Sequence, residues 1–186
     1  MKIIGIDPGT TTTGIGIIEF LYGNCSLIFY DALHLNSRDS LHSRLKKIYD
    51  ECMNCIKKYK PDEFAIETAF YGKNIQSTLK LGQARGVAII AALNSNLNIA
   101  EYSPREIKKS VTGRGAASKE QVQYMVKSIL SVKRTKITTD SSDAIAVALC
   151  HYYSLQNNLK RHATAKKENT WESFIEKNPE KILLRN

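Results

Sequence analysis

Lys2-Ile3-Ile4-Gly5-Ile6-Asp7-Pro8-Gly9-Thr10-Thr11-Thr12-Thr13-Gly14-Ile15-Gly16 is the stretch around which the rest of the chain is arranged. Ile3, Ile4 and Ile6 form a nearly continuous apolar run closed by Pro8-Gly9, the pattern of a strand buried on both faces. Asp7 is then the last strand residue, a carboxylate at a sheet end backed by a rigid element, as a catalytic or metal-binding group requires. Asp is equally at home at the start of a turn, and the stretch alone does not choose between the two roles. Gly9 and Gly14 permit close backbone approach. A second apolar run from Gly14 to Phe20 predicts an antiparallel hairpin with its Thr-rich turn beside Asp7.

Outward from this hairpin, Leu27 to Leu35 reads as a third strand completing a meander. Leu41, Leu45, Ile48, Tyr49, Cys52 and Ile56 recur at helical spacing behind Asp39 or Ser40 as a cap, and Pro61-Asp62 ends that helix. Phe64-Ala65-Ile66-Glu67 is a short strand that ends, like the first, in a carboxylate. A long helix is predicted from Asn74 to Asn94. Gly82 and Gly86 give it a face of small residues, suited either to packing inside the domain or to self-association. Ile99 to Tyr102 reads as a fifth strand, and Ser103-Pro104-Arg105-Glu106 opens a helix with a capping box and proline at its first position.

Lys and Arg outnumber Asp and Glu by 27 to 18, a net +9 that favours polyanionic partners through phosphate contacts. Residues 104–136 hold nine basic side chains against Glu106 and Glu120, so the candidate phosphate-binding face lies there. Within it, Ser118 and Gln121 form a second capping box, and Lys119 stands at a helix start where backbone N–H groups already favour anions. Lys119 with Arg114 is therefore expected to grip a phosphate, with Lys108 and Lys109 flanking the same loop. A solvated basic face is the plainer explanation of such charges.

The 186 residues, 42% of them hydrophobic, suit one globular domain, and the longest apolar run, Val87 to Leu93, is far short of the ~18 residues that span a bilayer. With no leader pattern at the first residues, a cytoplasmic protein without membrane contact is expected. Cys52 and Cys55 form a C-x-x-C, but Cys25, Cys150 and the four histidines offer no matching pair, so buried reduced thiols are expected.

Thr139 to His151 contains Asp140 and Asp143, three apart and on one helix face ahead of an Ala-rich segment. Acids in a first turn suit the helix dipole, yet that face continues into Ala144 and Val147, where unpaired anions are costly. A metal would resolve the conflict. Asp7, Glu67, Asp140 and Asp143 thus have reasons to converge, and an oxygen-only set favours Mg²⁺ or Mn²⁺ over zinc. Beside a basic surface, such a site suggests phosphodiester hydrolysis assisted by two ions.

At this point the sequence resembles the RuvC Holliday-junction endonucleases of the ribonuclease H-like superfamily. The stretches that carry the resemblance are Gly5-Ile6-Asp7-Pro8-Gly9, Ala65-Ile66-Glu67, Leu79 to Ala88, Val111-Thr112-Gly113 with Lys119 beyond it, and Asp140-Ser141-Ser142-Asp143-Ala144. The resemblance implies an α/β ribonuclease H-like fold, with a five-stranded mixed sheet flanked by helices, in a nuclease domain of residues 1–156. It also implies a homodimer that makes paired nicks across four-way junction DNA, and a partnership with RuvA and RuvB branch-migration proteins. Asp7, Glu67, Asp140 and Asp143 would be the metal-binding catalytic set, with Lys108 and Lys119 supporting DNA binding and catalysis. Phe70 would stack on bases near the junction centre.

Residues 157–186 match none of these motifs and carry seven basic and four acidic side chains with Trp171 and Phe174. A disordered arm, a packed helix and a partner peptide all suit that composition. Two rival functions bear on the whole chain. Asp7-Pro8-Gly9-Thr10-Thr11 also looks like the phosphate loop of sugar kinases and Hsp70-type ATPases, but this chain has room for one lobe and shows no second Asp-x-Gly loop. A DNA-binding protein without catalysis would gain nothing from four converging anions.

Overall fold

Ile3, Ile4 and Ile6 lie fully buried in β1 (Lys2–Asp7), at the centre of a five-stranded sheet. The computed structural model describes residues 1–68, 74–132 and 137–168, with side chains described through residue 158. They form two compact units, Met1–Tyr152 and Tyr153–Asn186; of the second, only the helical stretch 153–168 is described.

β2 (Thr12–Leu21) and β3 (Asn24–His34) follow β1 as the expected antiparallel meander. β3 begins three residues before the predicted Leu27, because Tyr22 and Gly23 make a two-residue turn with φ of 49° and 83°. Positive φ at both central residues matches the right-handed twist of the flanking strands, and a tyrosine gives little warning of it. The ladder shifts register between Ile17 and Ile18, leaving Ile28 as an unpaired extra residue of β3.

α1 (Leu41–Tyr59) is capped by Ser40, whose hydroxyl accepts from the Ser43 N–H at 3.2 Å; Asp39 instead pairs with Lys47 at 2.7 Å. β4 (Glu63–Glu67) then returns parallel to β1, and β5 (Asn98–Tyr102) runs parallel to β4 after α2 (Ile75–Leu93), giving the order β3-β2-β1-β4-β5. This is the mixed sheet the resemblance implies. α3 (Pro104–Thr112), α4 (Lys119–Ile129) and α5 (Thr139–Glu168) complete the described chain.

Strand alternation divides the core. Ile4, Ile6, Ile15, Ile17, Phe64 and Ile66 face α1 and α2, where they meet Ile48, Cys52, Cys55, Ala84 and Ala88. Each large apolar side chain so buried contributes roughly 1.5–3 kcal/mol. Cys52 and Cys55 are buried free thiols, as expected. The opposite face carries Gly5, paired with Gly16, and Gly14, paired with Asp7. A Cβ on Gly5 would strike the Ala144 carbonyl, one on Gly14 the Asp140 carbonyl, and one on Gly16 would lie 2.8 Å from the Ile145 nitrogen. The α5 backbone therefore rests directly on the β1–β2 ribbon, and that contact fixes where its first turn arrives.

Among the described residues no helix is long and apolar enough to cross a membrane. On α2, Ala84, Ala88, Ala91 and Ala92 are buried, whereas added Cβ atoms at Gly82 and Gly86 would meet nothing within 4 Å among the described residues. Among those residues, the Gly82–Gly86 face is thus not the packed one. Ile75, Leu79, Ile90 and Leu93, all exposed, continue it at helical spacing.

Candidate active site

Asp7 shares the parity of Gly5 along β1, so its side chain leaves the sheet on the α5 side. In the parallel β1–β4 ladder Gly5 stands beside Ala65 and Ile6 beside Ile66; one further step brings Glu67 beside Asp7. The two carboxyls share a hydrogen bond. The turn after Asp7 is stapled by Thr13, fully buried, whose hydroxyl donates to the Gly9 carbonyl at 2.8 Å and accepts from the Gly9 N–H at 3.3 Å. From α1, Arg44 Nη1 donates to the Thr10 carbonyl at 2.7 Å. Thr13 and Arg44 thus hold the loop that carries Asp7, a role with no visible sequence signal.

The first turn of α5 is capped by Thr138, whose hydroxyl accepts from the Ser141 N–H at 3.3 Å. With the Asp140 carbonyl against Gly14, Asp143 one turn later projects into the space above Asp7. α3 and α4 close the other side. Both begin with the predicted capping boxes, at Ser103–Glu106 and Ser118–Gln121. Lys119, the first residue of α4, directs its ammonium to Asp143 at 3.0 Å. Asp7, Glu67, Asp143, Lys108 and Lys119 line one cavity of about 170 Å³, walled by Pro104, Ile107 and Val122.

Burial, followed by the charges of Glu67 and Asp143, pushes Asp7 from an ordinary 3.8 up to about 8, against the pull of Lys119. Both partners of the Asp7–Glu67 pair are raised, so the pair holds on to a proton more tightly than two isolated carboxyls would. Glu67 and Asp143 are also raised, in both cases chiefly by burial. The hydrogen bond and charge of Lys119 hold Asp143 down, and the neighbouring Asp140 pushes it up. Lys119 is raised in turn, first by its hydrogen bond to Asp143. The three acids of this small cavity are thus only partly offset by Lys108 and Lys119. Among the described residues no three acid, His or Cys side chains are drawn together into a ready-made metal cage.

The residues singled out in the sequence separate into groups. Asp7, Glu67, Asp143, Lys108 and Lys119 meet in the cavity. Asp140 is half-buried and acts on Asp143 and Lys119 through its charge without lining that cavity. Arg114 does not join Lys119: it lines a second cavity with Thr112 and Tyr124, while Lys119 turns to Asp143. Arg114 lies in the loop that follows α3, whereas Lys119 opens α4, so the two side chains leave different elements. Lys109 is exposed and lines neither cavity. Phe70 lies outside the described residues.

A family model described as crossover junction endodeoxyribonuclease RuvC matches residues 3–151, a span that includes every acid of the site. The chain belongs to the RuvC family. Crossover junction endodeoxyribonuclease RuvC of Salinibacter ruber is 43% identical over 182 residues, covering 98% of this chain and 99% of the relative. The RuvC of Chloroherpeton thalassium is 45% identical over 187 residues, covering 98% and 100%. Among solved structures, Thermus thermophilus RuvC in complex with Holliday junction substrate superposes with a TM-score of 0.79 at 26% identity, covering 85% of this chain and 96% of that one. The RuvC resemblance read from the motifs is thereby established, together with the α/β fold it implied.

Proposed function

We propose that the chain is a structure-specific endonuclease that resolves four-way (Holliday) DNA junctions by paired, metal-dependent phosphodiester hydrolysis. The observation that carries this reading is the single cavity in which Asp7, Glu67 and Asp143 converge beside Lys108 and Lys119. Three carboxyls offering only oxygen donors fit a hard divalent cation, which would relieve the cost of burying like charges beside one another. Asp7, Glu67, Asp140 and Asp143 would hold two Mg²⁺ ions, with Mn²⁺ as a substitute. Bound there, the ions would supply an activated water and stabilise the leaving oxygen in an in-line displacement.

The chain's own residues do the remaining work. Lys119 orients Asp143 through its 3.0 Å contact and adds a positive charge where the scissile phosphate must lie. Lys108 adds a second charge from α3, and Pro104, Ile107 and Val122 form a wall that limits water. Lys109, Arg114 and Phe70 are proposed to contact DNA away from the scissile bond. Residues 1–156 would form the nuclease domain and 157–186 a basic extension. A four-way junction presents two equivalent strands, so paired nicking calls for a two-fold dimer. The stripe of Ile75, Leu79, Gly82, Gly86, Ile90 and Leu93 on α2, left open by the described residues, is the proposed seam. RuvA and RuvB remain the proposed protein partners.

Nicking of a synthetic four-way junction, first in chelator and then across a Mg²⁺ or Mn²⁺ titration, tests the reading, with a linear duplex alongside. Symmetric nicks in the junction that need the added ion are expected. Metal-independent cleavage, or equal cutting of the duplex, refutes it.

A further inference from the structure

α4 separates two cavities. Lys119 and Val122 face the acidic cleft, whereas Glu120, Gln121, Tyr124 and Met125 line a second cavity of about 420 Å³ with Thr112, Arg114 and Ala117. At 3.6 residues per turn these two sets lie on roughly opposite sides of the helix. The second cavity falls in the range of pockets that take small organic groups, about 300–1,000 Å³.

Its chemistry is specific. Ala117 is buried and gives, with Met125, an apolar floor, while Tyr124 stands 72% exposed at the side with its ring unburied. Glu120 is engaged by the Ser118 hydroxyl at 2.6 Å, and Gln121 accepts from the Ser118 N–H at 2.9 Å. Gln121 therefore keeps its amide N–H₂ to offer, and Arg114 makes no ion pair among the described residues. An apolar slot, an aromatic face, a side-chain amide and a free guanidinium together suit a nucleobase and its phosphate. The surrounding stretch, residues 104–136, carries most of the chain's excess positive charge and complements a polyanion.

We propose that this cavity is a subsite for one unpaired base of the junction strand, stacked on Tyr124 and Met125 with its phosphate at Arg114. This rests on the junction reading above and specifies which part of the DNA, beyond the scissile phosphate, the enzyme holds. A helix is about 10–12 Å across and successive bases rise about 3.4 Å, so the held base lies roughly three steps from the cut. The subsite thereby couples cleavage to strand opening: a fully paired duplex has no base to offer it.

Abasic scanning tests the proposal. Each of the nucleotides next to the nick is replaced singly by an abasic residue, and junction affinity is read in Ca²⁺ for wild type, Tyr124→Ala and Tyr124→Phe. One abasic position, about three steps from the cut, should weaken wild-type binding roughly tenfold, within the range of one base–aromatic stack. Tyr124→Ala should show the same loss on intact junction and no further loss at that position, and Tyr124→Phe should behave as wild type. Affinity for linear duplex should not change. Tyr124→Ala binding the junction normally, or responding to every abasic position as wild type does, overturns the proposal. So does an altered sedimentation coefficient of the free variant, which would make the surface a protein interface instead. A wild type that binds the junction and shows this pattern without nicking refutes the nuclease reading and leaves the subsite standing.

Discussion

Replacing Asp7 by asparagine should make the metal-free protein more stable, and the size of the effect follows from the site's charge. In the fold, burial and the neighbouring acids push Asp7 to about 8, against 3.8 ordinarily. A raised carboxylate binds its proton more tightly folded than unfolded. Its contribution is therefore present at low pH and is lost as pH rises from the unfolded value through the folded one. At pH 7 the unfolded chain has released this proton and the folded chain has not, a difference of at most about 4 kcal/mol at 1.36 kcal/mol per pH unit. Glu67 shares the proton and part of the cost, so about 2 kcal/mol is the expected gain for Asp7→Asn. For a chain of this length that is roughly 4–8 °C in Tm. At pH 4.5 the difference should shrink to about 1 kcal/mol or less. The assay is thermal unfolding in chelator at both pH values, repeated with Mg²⁺, which should stabilise the wild type more than the variant. An Asp7→Asn protein that melts at or below wild type in chelator at pH 7 refutes the reasoning and returns Asp7 to the role of turn cap.

Gly5→Ala should cost about 1–3 kcal/mol, because the new methyl strikes the Ala144 carbonyl and lifts α5 from the sheet; an unchanged melting curve would mean α5 is not seated there. Lys119→Ala should weaken junction binding with a salt slope shallower by about 0.9, whereas Lys46→Ala on α1 should leave the slope alone; equal changes would show the basic charge acting diffusely. Gly86→Leu should keep the fold, since no described residue lies within 4 Å of the added Cβ, but should lower dimer content in sedimentation. A wild type monomeric at high concentration, even with junction DNA, removes the α2 seam.

Much of the site was legible because its determinants are periodic. The Ile3–Ile4–Ile6 run and the Pro8-Gly9 break place Asp7 at a strand end, the Phe64–Glu67 run does the same for Glu67, and the three-residue spacing of Asp140 and Asp143 puts both on one helix face. The cluster at the ends of parallel β1 and β4 is the outcome. What escaped depends on tertiary contact or unusual backbone. Tyr22 at positive φ lengthens β3 against tyrosine's usual preference. Thr13 and Arg44 bind loop carbonyls that no pattern in the chain marks. Arg114 and Lys119 are close in sequence and similar in charge, yet the loop after α3 carries one and the first turn of α4 the other, into separate cavities. Only the seating of α5 on Gly5, Gly14 and Gly16 explains why Asp143, and not Asp140, enters the acidic cleft.

The most direct test of the central claim pairs cleavage with binding in Asp7→Asn. Asparagine keeps the side-chain shape and removes the charge that would hold the ions, while Lys108 and Lys119 remain to hold phosphate. Gel-resolved nicking of a four-way junction in Mg²⁺ should fall by orders of magnitude, and the binding shift in Ca²⁺ should persist or strengthen as one repelling anion is lost. Undiminished nicking by Asp7→Asn would contradict the account.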